Sequence, residues 1–158
     1  ILGAREDVNA IVHCHSRACV FVSNLPGNDP LKFYTQDGGA FYGKVAYHAF
    51  EGVANDHDEQ ERIARDLGDK AHTLVMRNHG AVTLGATVGE AWVRMFYFER
   101  VCQAQMDLWC AGMKDEAVPV DDRILLEMSR VYEDPKFRHG SEWATMAKYC
   151  DEKYDLGS

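Results

Sequence analysis

The chain has 158 residues, enough for one domain with a real core and too few to expect two. Hydrophobic residues at 46% and charged residues at 27% exclude a disordered chain. A formal net charge of -8 argues against a nucleic-acid partner, whose phosphates need a local basic patch. The basic residues are instead scattered among acids, and Glu59 to Asp69 reads as a solvated helix face.

Val8 to His15 reads as a strand, with β-branched Val8, Ile11 and Val12 inside it. Side chains of a strand alternate faces, so His13 and His15 project from one side and Cys14 from the other. Two imidazoles on one strand supply half of a tetrahedral metal shell; the bland alternative is a pair of polar residues on a partly exposed face. The best third ligand is His79, in Met76-Arg77-Asn78-His79-Gly80.

Ser16 can cap a helix from about Arg17 to Asn24. Pro26-Gly27-Asn28-Asp29-Pro30 is a loop, Leu31 to Tyr34 a short strand, Asp37-Gly38-Gly39 a turn, and Lys44 to Phe50 a further strand. From Asn55 or Asp56 to Leu67 the spacing of Ile63, Ala64 and Leu67 predicts an exposed amphipathic helix, which Gly68 stops in a left-handed cap. Thr73 to Met76 and Ala81 to Leu84 are two short strands. The Arg77-Asn78-His79-Gly80 turn between them presents His79 at the tip of a hairpin.

Thr87-Val88-Gly89-Glu90 has the spacing of a capping box and opens the longest helix, about Val88 to Ala111. Trp92, Met95, Phe96, Phe98, Val101, Cys102, Gln105, Met106, Trp109 and Met113 give it a broad apolar face, read as core packing that can extend to another subunit. Pro119 breaks the chain, and Asp121 caps a helix over Asp122 to Tyr132 that Pro135 closes. Ser141 to Tyr149 is a last short helix, followed by a loose tail from Asp151 to Ser158.

Cys14, Cys19, Cys102, Cys110 and Cys150 form no Cys-x-x-Cys pair and no disulfide framework, which favours free thiols and a reducing compartment. No stretch is long and apolar enough for a membrane span, and the N-terminus lacks a signal pattern, so a cytoplasmic location is expected. A chain that opens on Ile1 and is almost at once in the strand leading to the histidines suggests a fragment of a longer fold.

His13-Cys14-His15, Val45-Ala46-Tyr47-His48, Leu74-Val75-Met76-Arg77-Asn78-His79-Gly80 and the helix opened by Thr87-Val88-Gly89-Glu90-Ala91 together resemble the class II aldolase/adducin family, most strongly from Asp7 to Gln105. The resemblance implies an α/β fold: an α/β/α layered arrangement around a mostly antiparallel central sheet. It makes residues 1–158 a single class II aldolase/adducin-like domain, N-terminally truncated relative to the family. The resemblance, which extends to fuculose-phosphate aldolase-like enzymes, further implies a homotetramer, the common assembly of the family, and a divalent metal, Zn2+ or a similar ion. By the resemblance His13, His15 and His79 are the metal ligands, with an open position for the oxygens of a small hydroxycarbonyl, sugar-phosphate-like substrate and charge stabilisation of its enediolate. No nucleic-acid or membrane partner is expected.

The family's acid/base carboxylate and phosphate-cradling loops precede its His-x-His, so the catalytic acid/base stays unassigned. Glu51 and Asp37 are available carboxylates but read as solvated loop residues, and these 158 residues are expected to bind metal with negligible aldolase activity. Tyr149 and Tyr154 are possible counterparts of tyrosines that assist protonation in some relatives. Of the other histidines, His57 and His139 read as solvated, His72 as chemically silent, and His48 as a hydrogen-bonded structural residue that could approach the site. The alternative function is a non-catalytic adducin-like assembly module; retention of all three histidines favours the lyase.

Overall fold

The structure, a computed structural model, describes residues 1–52, 57–134 and 141–154. Its elements in chain order are β1 (Ala10–Cys14), α1 (Arg17–Ser23), a 3-10 turn (Gln36–Ala40), β2 (Val45–His48), α2 (His57–Leu67), β3 (Thr73–Met76), β4 (Gly80–Gly85), α3 (Val88–Cys110), α4 (Asp122–Tyr132) and α5 (Ser141–Tyr154). The sheet order is β1-β4-β3-β2. β1 and β3 both run antiparallel to β4, whereas β2 is parallel to β3. The sheet is therefore mixed, with two of its three pairings antiparallel. Parallel β2 and β3 need a crossover, and α2 supplies it.

Two cores lie on opposite faces of the sheet. On one, Val75 and Ala81 meet Ala18, Cys19 and Val22 of α1 and Met95, Phe98, Val101 and Cys102 of α3. On the other, Leu74, Val82 and Leu84 meet Leu67 of α2, with Val8 and Ala71. Because both faces are covered, all six residues of central β4 are buried, and the layers are α/β/α. Burying such apolar side chains is worth about 1.5–3 kcal/mol each. The α3 aromatics pack in the core and against α5: Phe98 meets Phe41, and Trp92, stacked on Phe96 of the same helix, meets Trp143 of α5. Phe96 itself is exposed.

The helix ends follow the polar signals. Ser16 Oγ accepts from the Cys19 N–H, Thr87 Oγ1 from the Glu90 N–H, and the Asp121 side chain from the Arg123 N–H. Glu90 turns back onto the Ala86 N–H at 2.8 Å and also meets Arg94 at 2.6 Å. Gly68, at φ 65°, ends α2 as expected.

Several expectations need correction. Leu31 to Tyr34 is not a strand: the Lys32 N–H goes to the Gln105 side chain and the Phe33 carbonyl to the Val120 N–H, so no ladder partner is left. β1 is shorter than Val8 to His15 and β2 shorter than Lys44 to Phe50. The last helix continues to Tyr154, so Asp151 to Tyr154 is not a loose tail. The face from Glu59 to Asp69 is not wholly solvated, because Glu59 is 4% exposed. The start of the second helix at Asn55 or Asp56, Pro135 and His139 lie outside the described residues. All five cysteines are free.

Candidate metal centre

Alternation along β1 decides where its histidines go. Val12 and Cys14 pair with Thr83 and Ala81 and face the α1/α3 core, where Cys14 Sγ lies 3.2 Å from Met95 Sδ. Ile11 and His13 pair with Leu84 and Val82 and face the other way. α2 packs against β2 at the far edge of the sheet, so His13 on edge strand β1 remains exposed. His15, just past the end of β1, is exposed beside it.

His79 arrives from the β3–β4 turn. Asn78 takes the left-handed conformation at φ 55°, and the His79 N–H closes the turn on the Met76 carbonyl at 3.1 Å. Arg77 donates to the carbonyls of Leu25 and Gly27, and Asn78 Nδ2 donates to Asn24 Oδ1 at 2.6 Å. The turn is thereby tied to the loop after α1. Gly80 lets the two segments close up, since a Cβ there would overlap the Cys14 carbonyl and press on the His15 ring at 3.1 Å.

The three rings meet. Centroids are 4.6 Å apart for His13 and His15, 4.9 Å for His13 and His79, and 4.6 Å for His15 and His79. One nitrogen from each lies within 4.8 Å of the others. His13 Nδ1 donates to the Ala81 carbonyl at 2.9 Å, which fixes the tautomer and leaves Nε2 with its lone pair turned inward. His13 Nε2 and His15 Nε2 are 2.8 Å apart. Two imidazole nitrogens on a tetrahedral ion sit roughly 3.3 Å apart, so a rotation of about half an ångström admits one. Burial, and then the neighbouring rings of His13 and His15, lower the pKa of His79 and favour its neutral, ligating form. The donor set fits a borderline divalent cation.

The other candidates lie elsewhere. Asp37, in the 3-10 turn, meets Arg100 at 3.3 Å. Glu51 is held by Arg62 rather than free in solvent. Tyr149 and Tyr154 are exposed on α5, with Lys153 Nζ 3.1 Å from Tyr149 Oη. His48 is 1% exposed, and its Nδ1 lies 2.8 Å from Asp66 Oδ2, so it belongs to a different cluster. A cavity of about 620 Å³, walled by Arg5, Lys44, His72, Leu84, Arg94 and Tyr132 among others, contains none of the three histidines. Sequence reasoning missed the Ala81 carbonyl and the steric role of Gly80; only the Gly after His79 could have signalled the latter.

A family model described as "Class II Aldolase and Adducin N-terminal domain" matches residues 1–106. A protein of Caulobacter vibrioides assigned to aldolase class 2 is 43% identical over 104 residues, 65% of this chain and 39% of that protein. Alpha-adducin of Rattus norvegicus is 35% identical over 123 residues, 77% of this chain and 16% of the adducin. The structure of L-fuculose 1-phosphate aldolase from Glaciozyma antarctica superposes with a TM-score of 0.76 at 28% identity, over 96% of this chain and 57% of that one. The chain thus spans well under two thirds of the length of each. No helix among the described residues is long and apolar enough to cross a membrane.

Proposed function

This chain belongs to the class II aldolase and adducin family, and from that premise we propose that it carries the metal centre of a lyase acting on a small hydroxycarbonyl, sugar-phosphate-like substrate. His13, His15 and His79 are the ligands, Zn2+ is the preferred ion, and residues 1–158 form one domain of the family. The observation that carries this reading is the convergence of three imidazoles from two segments far apart in sequence, within 4.8 Å of one another.

Three protein ligands leave a fourth position open, as a catalytic rather than structural site requires. A divalent cation held there supplies Lewis-acid polarisation of a substrate carbonyl oxygen. The chain's own residues do the positioning. Ala81 orients the His13 ring, Gly80 allows β1 and the His79 turn to approach, and Arg77 and Asn78 anchor that turn. The exposure of His13 and His15 leaves the open side accessible to a small molecule. We read the protein as cytoplasmic and as a homotetramer. The exposed apolar side chains Ile124, Leu126, Val131 and Met146 on α4 and α5 suit burial between subunits.

Metal analysis of protein purified under Zn2+-replete conditions is expected to find a bound divalent ion that His79→Ala removes. A metal-free wild-type chain, or an unchanged ion content in the variant, would overturn the proposal. The match to alpha-adducin supports a second reading, an assembly module without turnover. Turnover of a sugar phosphate by the full-length protein, abolished by His79→Ala, favours the lyase; partner capture without turnover favours the module.

A further inference from the structure

A second group of ligand-type side chains sits at the other edge of the sheet. His48 ends β2, Glu51 follows it, and Glu59 lies in the first turns of α2. One ring nitrogen of His48 and one carboxylate oxygen each from Glu51 and Glu59 fall within 4.8 Å of one another. The helix face that meets β2 reads Glu59, Arg62, Ile63, Asp66, Leu67, so charged residues hold three of five positions on a surface that amphipathic spacing would make apolar.

The state of His48 is the telling observation. Its side chain is 1% exposed. Nδ1 lies 2.8 Å from Asp66 Oδ2, whereas Nε2 is buried with no hydrogen-bond partner among the described residues. A buried polar atom without a partner costs about 1–3 kcal/mol. Glu51 Oε1 is 4.0 Å away from Nε2. That is too far for a direct hydrogen bond, yet close to the roughly 3.4 Å that two ligands take across a tetrahedral ion.

The carboxylate on Nδ1 matters as much. A metal-ligating histidine characteristically donates its other N–H to a carboxylate, which fixes the tautomer and raises ligand basicity. Asp66 stands in that position.

Charge points the same way. Three carboxylates, Glu51, Glu59 and Asp66, face two guanidiniums: Arg62 on Glu51 and Arg65 on Asp66 at 3.3 Å. With a neutral His48 ring, one negative charge is left over. Glu59, 4% exposed, has no cationic partner among the described residues. A carboxylate has about four lone-pair sites, so Glu51 can keep Arg62 and still ligate.

We propose that His48 Nε2, Glu51 and Glu59 form a second divalent-cation site, with Asp66 as the positioning residue, which cross-links α2 to the end of β2. One imidazole with two carboxylates suits a borderline first-row ion, Zn2+ or Mn2+, over Ca2+. This site is independent of the three-histidine centre.

Titration of the full chain with Zn2+, followed by calorimetry and metal analysis, separates the two. Wild type is expected to bind two ions per chain. A variant carrying His13→Ala, His15→Ala and His79→Ala is expected to keep one, and Glu59→Gln in that background to keep none. Asp66→Asn is expected to weaken the remaining site about tenfold to a hundredfold. In the triple variant, Zn2+ should move the ¹⁵N resonance of His48 Nε2 to a metal-bound shift while Nδ1 keeps its proton. Circular dichroism checks that each variant is folded, and Glu51→Gln serves as the second probe if Glu59→Gln is not. No Zn2+ bound by a folded triple variant would overturn the proposal, and so would a His48 Nε2 that carries a proton at saturating Zn2+. Failure of the first centre would appear instead as a wild type that binds no more Zn2+ than the triple variant.

Discussion

Acidification bears directly on His72, which opens β3 at the wall of the large cavity. Its Nε2 is 3.0 Å from the Ala40 carbonyl, which can only accept, so Nε2 carries the proton and Nδ1 accepts from Thr73 Oγ1 at 3.0 Å. Burial, and then the positive charge of Arg94, push its pKa from 6.5 down to about 3. The unfolded chain takes up a proton near 6.5 and the folded chain does not until much lower pH. The contribution of His72 to stability is therefore complete above pH 6.5 and is lost as pH falls towards 3.

Linkage puts that loss at about 2 kcal/mol between pH 7.5 and pH 5. His72 is only partly buried, at the wall of the cavity. The figure nonetheless holds for any folded value below about 4.5, because the unfolded state then dominates proton uptake. His72→Gln keeps a donor for Ala40 and has no proton to gain. Urea unfolding at the two pH values should therefore show the wild type losing about 2 kcal/mol more than the variant. Equal losses in the two proteins would refute a neutral, buried His72.

Gly80→Ala forces a methyl group against the Cys14 carbonyl and should cost about 1–3 kcal/mol in urea unfolding while weakening metal binding at the three histidines. An unchanged ion affinity would detach the turn from the site. Gln105 is fully buried and satisfies both the Lys32 N–H and the Pro30 carbonyl at 2.9 Å, so Gln105→Leu should destabilise by about 2 kcal/mol or more. Thr87→Ala removes the α3 cap and should lower stability by about 1 kcal/mol, read from the same unfolding curves.

The local signals were legible wherever chemistry acts within a few residues. Ser16, Thr87 and Asp121 cap the helices assigned to them, and Gly68 ends α2 as its lack of a side chain allows. The alternation of His13 and His15 about Cys14 placed the histidine pair correctly, since strand geometry repeats every two residues. The turn at Asn78 followed from the tolerance of Asn for positive φ. Leu31 to Tyr34 misled because its apolar pattern suits a strand, while its backbone groups are taken by Gln105 and Val120, which are remote in sequence. Glu59 looked solvated because helix periodicity does not reveal which buried group a carboxylate will face.

Sequence alone determined where the four strands and the helices lie, though not their ends or the irregular Leu31 to Tyr34, and that three histidines stand at the ends of short apolar runs. Family resemblance joined them into one candidate centre. Only the tertiary structure decided that their nitrogens fall within 4.8 Å, that the Ala81 carbonyl orients His13, and that His48, whose Nε2 has no hydrogen-bond partner among the described residues, gathers with Glu51 and Glu59. Those facts depend on β1 pairing with β4 and α2 crossing to β2. Strand register and helix docking are set by the whole core's packing, which no local window of residues contains.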